Sequence, residues 1–389
     1  MNDKSKLFIT SKFFFPNIGG VENSLKEISK SLSDEYDVYI YTTNINNVSD
    51  DSLLLSEEFD GYNIKRIDCN HKNKYIRELL FYIKMIWSLR KEAKKSINSV
   101  IIARDHFSVI NAWFAGFREI SYLVPGVVKY QNNKVNHGAG KSLLFLKIEN
   151  IIQKISFRLS KRIFVFSKNM MKQVTDVDNK SEVKIYLCKP GVNFNRFKIA
   201  TFEEKKTLRK KYNIPSDKYI ILGLARFVKA KGYENLILSM KYLSDDFYLI
   251  LVGSGPEYDN YNQIISDENI KNIKIFPPTS TPNEFYKLSD VFAMTSIYEP
   301  LGQTILESQV SGLPNLYHLP SKDVITAVDE IIYKEYSFPI KENNPLSISE
   351  SIVNAKLSTS NILSRKMRAS IKEKFSWYKL GVLLTCKEK

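Results

Sequence analysis

Histidine and cysteine are scarce, four and three among 389 residues. No His/Cys cluster has zinc-site spacing, and Cys69, Cys188 and Cys386 lie far apart and are odd in number. That excludes a disulfide framework and points to a reducing compartment. No run reaches the ~18 uninterrupted apolar residues of a membrane span, and the opening MNDKSKLFIT lacks a secretory-leader layout. Acids are thin in one half: residues 71–200 hold 25 Lys and Arg against 8 Asp and Glu, a net of +17 beside the whole chain's +15. A basic half of this kind suits an anionic membrane surface, a phosphorylated substrate or nucleic acid, or is simply a solubility surface.

What is present is ordinary globular composition, 43% hydrophobic and 25% charged, in a chain long enough for two domains of about 150–200 residues. Short apolar runs alternate with amphipathic stretches. LFIT (7–10), VYIYT (38–42), VIIA (100–103), GVVKY (126–130) and RIFVFS (162–167) read as buried strands of a first series. YIILGLA (219–225), FYLILVG (247–253), IKIF (273–276) and VFAMTS (291–296) form a second. Helical patterns such as VENSLKEISKSLS (21–33) and YENLILSMKYL (233–243) lie between them. Alternation of this kind implies α/β architecture with two doubly wound, Rossmann-like domains facing across a cleft. The seam is expected within residues 187–219, which open on Pro190-Gly191 and lose strand periodicity.

Two stretches of the basic half read as helices. In LLFLKIENIIQKISFRLSKR the stripe is Leu144, Ile148, Ile151, Ile155 and Leu159, with Lys147, Lys154 and Arg158 on another face. YIRELLFYIKMIWSLRKEAKK (75–95) mixes bulky apolar residues with six cations, four of them in its second half. Each reads either as a core-packed helix with solvated lysines or as an interfacial helix resting on anionic lipid.

The chemistry-bearing residues cluster after the second series of strands. A strand ending at Ala225 is followed by Arg226, then Lys231-Gly232 and a helix; two cations beside a helix N-terminus make a diphosphate seat. ILVGSGPEYDNY (250–261) is strand, glycine turn, helix, with Gly253 and Gly255 expected to admit a ligand close to the backbone. Tyr258 stands where a dinucleotide fingerprint needs its third glycine. YEPLGQTILESQ (298–309) then places Glu299 on a loop and Glu307 inside a helix, because Pro300 and Gly302 delay the helix start. Both acids and the Leu301-Gly302-Gln303 backbone would point into one cleft, where carboxylates accept hydrogen bonds from vicinal sugar hydroxyls.

Taken together, Arg226 with Lys231-Gly232, the GSGPE turn and YKLSDVFAMTSIYEPLGQTILESQVSGLP resemble the donor domain of glycosyltransferase family 4. PGVNFNRF resembles that family's linker, FFFPNIGGVENSLKEISKSL its N-terminal glycine-rich loop, and FSW (375–377) the start of its returning C-terminal helix. The resemblance implies the GT-B fold, retention of anomeric configuration and a nucleotide-sugar donor. It implies domains at 1–187 (acceptor side) and 188–370 (donor), with 371–389 returning toward the first. It further implies Arg226 and Lys231 on the donor diphosphate, Glu299 on the sugar, Glu307 on the ribose, and the Gly302 and Gln303 N–H groups beside sugar or phosphate. Gly19 and Gly20 would close over the diphosphate from the other domain. No metal is implied, since cations and a helix dipole take its place. The sequence departs from the family in two places. Where many members carry a histidine near the donor sugar this chain has Gln131, a candidate donor-sugar or acceptor contact, and NLYHLPSKDV replaces a glycine-rich loop after Pro314.

Three look-alikes are set aside. GAGKS (138–142) lacks the first glycine of a phosphate loop, DVD (176–178) follows a helix in a polar stretch, and His106 and His137 read as loop histidines. The resulting expectation is a cytoplasmic hexosyltransferase, peripheral on the inner face of a membrane. It would use a UDP-sugar and a lipid-linked or polysaccharide acceptor, with no cofactor, no metal and no nucleic-acid partner. A same-fold epimerase or phosphorylase, or a degenerate module binding an anionic ligand, are the alternatives.

Overall fold

The computed structural model describes residues 4–17, 19–46, 51–95, 99–131 and 143–385. They divide into two compact units, one running to Gln131, from 143 to Gly191 and again from Ser376, the other Val192–Phe375. Residues 188–191 stay with the first unit because Cys188 N donates to Val165 O at 2.9 Å and Gly191 lies flush against Trp377. Phe375 stays with the second because it is buried in that unit's core.

The first unit is built on an eight-stranded sheet: β1 (Ser5–Thr10), β2 (Tyr36–Thr43), β3 (Ser56–Phe59), β4 (Tyr62–Ile67), β5 (Ile101–Ala103), β6 (Ile120–Leu123), β7 (Arg162–Val165) and β8 (Ile185–Leu187), in the order β3-β4-β2-β1-β5-β6-β7-β8. All neighbours are parallel except β3 against β4. That hairpin turns through Asp60 and Gly61, both at positive φ, the geometry a two-residue connection needs. The helices Lys74–Lys95, His106–Ala115 and Leu143–Leu159 pack in sequence, the middle one against both others, while Gly20–Leu32 packs against the C-terminal helix Trp377–Thr385. That last helix is pinned where Ser121 Oγ donates to Leu384 O at 2.7 Å and where Gly381 meets Leu32 too closely for a side chain.

One expected strand is wrong. GVVKY (126–130) is not in the sheet; Val128–Gln131 forms a helical turn, and the strand is Ile120–Leu123 instead. Pro125-Gly126 ends the strand early, and the apolar Val127 and Val128 are buried by tertiary packing, with Val128 N donating to Gln153 Oε1 at 2.8 Å. The Gln131 side chain and GAGKS (138–142) lie outside the described residues.

The second unit has a six-stranded all-parallel sheet: β9 (Tyr219–Leu224), β10 (Phe247–Val252), β11 (Ile273–Phe276), β12 (Val291–Met294), β14 (Asn315–His318) and β16 (Ser337–Ile340), ordered β11-β10-β9-β12-β14-β16. Two short strands outside it, β13 (Tyr298–Glu299) and β15 (Ile325–Thr326), pair with each other. Buried on both faces, the central strands read as near-continuous apolar runs, as parallel sheets require. The strand order reverses beside β9, between β10 on one side and β12 on the other, and at such a switch point the loops after neighbouring strands diverge and leave a crevice.

His318, at the carboxyl end of β14, is 3% exposed and its Nε2 has no partner among the described residues. Burial therefore pushes its pKa down from 6.5 to about 4. The folded pKa lies below the unfolded one, so the unfolded chain takes up the proton first. Stability is full above pH ~6.5 and is lost as pH falls toward 4, by about 3 kcal/mol at most. Thermal melts across that range should show the second unit losing stability in wild type, and the loss should shrink in His318→Asn.

Candidate active site

The connections at the carboxyl ends of β10 and β12 both pack on the segment leaving β9, the first at Ala225–Phe227 and the second at Ala230–Gly232. After β9 the chain passes Arg226 and enters a 3-10 turn, Lys229–Lys231, closed by Gly232 at φ 64°. A side chain at Gly232 would strike Thr295 O at 2.2 Å. Thr295 Oγ1 in turn donates to Lys231 O at 2.9 Å, and Ile297 N donates to Ala230 O at 2.9 Å. The segment leaving β12 is thereby stitched to the segment leaving β9, and this brings Glu299 to Lys231.

Lys231 Nζ donates to Glu299 Oε2 at 2.6 Å, with both side chains mostly buried. Glu299 Oε1 accepts from Gly302 N at 3.0 Å and Leu301 N at 3.4 Å. Glu299 does not sit on a loop, as the sequence suggested; it occupies β13, anchored through Ala327 N to its carbonyl at 2.9 Å. In this structure the Gly302 N–H serves Glu299. A lysine ammonium has three donors, so Lys231 can hold Glu299 and still offer N–H groups to a further anion.

The helix Gln303–Val310 begins directly after Gly302, which takes φ 90°, and Glu307 lies within it. Glu307 Oε2 accepts from Tyr286 OH at 3.0 Å. Burial, then the Glu307 charge, drives the Tyr286 hydroxyl well above its usual range, so it remains a donor. Half-buried Glu307 thus has one oxygen aimed by a neutral, fixed phenol. Arg226 is exposed, and no hydrogen bond or ion pair holds its side chain among the described residues.

The glycines after β10 have a different use from the expected one. A Cβ at Gly253 would lie 2.0 Å from Ala225 O, and one at Gly255 2.2 Å from Phe227 O, at φ 153° and 154°. Their close approach is to the protein's own Arg226 segment. Phe227 N donates to Ser254 O at 2.8 Å and Glu257 N to Phe227 O at 3.1 Å, which fixes the backbone either side of Arg226.

The first unit has its own switch point, between β1 and β5. Gly19, extended at φ −168°, and Gly20 lead from β1 into the helix Gly20–Leu32, and the Glu22 carboxylate folds back against Gly19. Arg104, directly after β5, is 4% exposed, donates to Leu123 O at 2.6 Å and leaves Nε unpartnered. Burial lowers its pKa to about 10, and burial raises that of Glu22, the two charges favouring each other. The sequence reading passed over both residues. The signal was available, since an arginine at a strand's carboxyl end is the pattern that singled out Arg226. The Asp176-Val177-Asp178 pair has structural work: Asp176 accepts from Lys129 and Tyr130, and Asp178 from Arg158 and Ser181. Among the described residues no His/Cys/Asp/Glu group is arranged to hold a metal ion.

Residues 204–373, inside the second unit, match the model of glycosyl transferases group 1. An uncharacterized glycosyltransferase of Methanocaldococcus jannaschii, MJ1607, is 23% identical over 66% of this chain and 67% of its own. The lipopolysaccharide core biosynthesis glycosyltransferase LpsE of Rhizobium meliloti is 35% identical over 27% of this chain and 31% of its own. The crystal structure of Anabaena HepE in complex with UDP and glucose superposes with a TM-score of 0.75 at 13% identity, covering 98% of both chains. The fold is GT-B, with two Rossmann-like sheets.

Removing Lys231 would strand a buried carboxylate. Lys231→Met should cost about 3–5 kcal/mol, whereas adding Glu299→Gln to it should return part of the loss. A double-mutant cycle by chemical denaturation should therefore give a clear coupling energy; additive losses would show that the pair is not an energetic unit.

Proposed function

We propose that the chain is a retaining hexosyltransferase of glycosyltransferase family 4. It would move a sugar from a nucleoside diphosphate, UDP foremost, to a lipid-linked or polysaccharide acceptor in surface-glycan synthesis. The observation that carries this reading is the set Arg226, Lys231, Glu299 and Glu307 around the carboxyl ends of β9 and β12, beside the switch point. It joins cations suited to a diphosphate with carboxylates suited to hydroxyls. The UDP and glucose named for HepE and the lipopolysaccharide role named for LpsE support the donor and acceptor classes.

In this mechanism Arg226 and the spare N–H groups of Lys231 bind the diphosphate and stabilise the negative charge that grows on it as the glycosidic bond breaks. Such donors act only on charge that develops in the transition state, so they lower the barrier. Glu299, held by Lys231, orients the sugar hydroxyls. Glu307, aimed by Tyr286, takes the paired hydroxyls of the ribose. Gly302 and Gln303 start a helix whose N-terminal dipole adds to the field at the diphosphate. These groups supply the charge stabilisation that a metal ion gives elsewhere, so turnover is metal-independent. The acceptor meets the enzyme at the inner face of a membrane, where a chain with a basic region at 71–200 concentrates against anionic lipid.

Glu307→Ala should lose charge-assisted hydrogen bonds worth about 1.5–3 kcal/mol, raising the donor Kd roughly 10–100-fold while leaving the melting point near wild type. Transfer by the wild type should persist in excess EDTA. Product analysis with and without acceptor separates the reactions: a transferase needs the acceptor, whereas sugar inversion without one would mark an epimerase. Normal donor binding by Glu307→Ala, or strict Mn²⁺ dependence, would overturn the site assignment.

A further inference from the structure

Residues 192–197, the VNFNRF of the linker-like segment, are anchored in the second unit and carry an exposed arginine. Phe197 is buried in that unit's core and meets Tyr286 edge-on, ring centroids 5.7 Å apart. Arg368 clamps the same stretch, donating to Phe197 O at 2.6 Å and Phe194 O at 2.8 Å. Asn193 Oδ1 accepts from Asn195 N at 3.1 Å and from Arg196 N at 2.9 Å, which fixes the turn. Arg196 is thus presented from a braced backbone, with its side chain in solvent.

Arg196 reaches the connection that leaves β11, where its Nη2 donates to Ser280 O at 2.5 Å. That connection is itself held in shape. Thr281 N donates to Thr279 Oγ1 at 3.0 Å, and the two threonine hydroxyls share a hydrogen bond at 3.1 Å. A guanidinium has five N–H donors, and no further hydrogen bond or ion pair engages this one among the described residues. Glu284, just beyond the same connection, is held by Lys211 and Tyr212 instead.

Tyr286 joins this corner to Glu307. Burial and then the Glu307 charge raise the Tyr286 hydroxyl; the positive charge of Arg196 opposes them and is the weakest of the influences, as befits a group set further out. Lys231 lies at the other end of the row, because β11 is the outermost strand and β10 stands between it and β9. A nucleoside diphosphate has the same order of parts. Its phosphates leave the ribose at C5′ and its base leaves at C1′, on opposite sides of the ring. A ribose held at Glu307 with its phosphates toward Lys231 turns its base toward the connection after β11.

We infer that Arg196 is the base-selecting residue of this site, donating to the keto oxygen on the outer edge of a uracil or guanine base. The inference rests on the proposed donor reading and adds the base to it. The oxygen is O4 in uracil and O6 in guanine, and an amino group takes its place in cytosine and adenine. A guanidinium only donates, so it gains a charge-assisted hydrogen bond from the keto oxygen and meets the amino group donor to donor. A carboxamide could turn to suit either base, and an arginine cannot. Bracing of the loop alone would account for the Ser280 bond, but it would favour every nucleotide equally.

The test is calorimetric titration of the full chain with two matched pairs, UDP beside CDP and GDP beside ADP. In the ring size that the site accepts, the keto member should bind about tenfold or more tightly than its amino counterpart. Arg196→Ala should weaken the keto member about tenfold, change the amino member little, and bring the ratio close to one. Arg196→Lys keeps the charge without the planar fork and should retain part of the preference. Both variants should melt near wild type, since the side chain is exposed. Equal binding of keto and amino members by the wild type, or a preference that survives in Arg196→Ala, would overturn the inference and leave the donor reading standing. Uniform weakening of all four nucleotides by Arg196→Ala would also overturn it and would assign the residue to bracing the loop. Binding of no diphosphate would overturn the donor reading and this inference with it.

Discussion

The ion pair between Lys231 and Glu299 depends on backbone geometry that few residues could supply. Gly232 must turn left-handed within van der Waals contact of Thr295 O, and Ala230 O must accept from Ile297 N. These links cross from the loop after β9 to the loop after β12, the two strands that flank the reversal of strand order. One short salt bridge consequently fixes the position of a cation, a carboxylate and the start of the Gln303–Val310 helix. A buried pair of this kind is weak evidence for stability, since desolvation offsets most of the attraction. Its value is positional: it holds two charges at set places.

The two units are organised alike and charged differently. Each sheet has a switch point where a glycine-containing turn follows one strand and an arginine follows a strand: Gly19-Gly20 with Arg104 in the first, Gly232 with Arg226 in the second. Arg226 is open to solvent, as a ligand-binding cation would be, whereas Arg104 is enclosed and offset by the nearby Glu22. The first unit carries its surplus of positive charge on helices, displayed around apolar side chains.

Much of this was legible in the sequence, for identifiable reasons. Continuous apolar runs mark four of the six strands of the second sheet, β9 to β12, because both of its faces are covered, while β14 and β16 are too short and too mixed to stand out. Pro300 and Gly302 correctly delayed the helix to Gln303. GVVKY failed because its valines are buried by helix packing, and periodicity over five residues does not separate the two cases. A two-residue strand leaves no period to detect, so the sequence points Glu299 to a loop where the structure has β13. In the sequence Gly253 and Gly255 suggest room for a ligand, yet only three-dimensional contact reveals that the neighbour is Ala225 and Phe227 backbone. Whether the Ile148, Ile151 and Ile155 stripe faced core or solvent was undecidable from period alone, since an amphipathic helix names its apolar face and not what covers it.

The central claim is that the groups around Lys231 seat the diphosphate of a nucleotide sugar. Calorimetric titration of the whole chain with UDP, GDP and ADP, each beside its monophosphate, tests it most directly. At least one diphosphate should bind about tenfold or more tightly than its monophosphate, because the second phosphate meets Arg226 and Lys231. Equal affinity for mono- and diphosphates, or binding of none of them, would contradict the account.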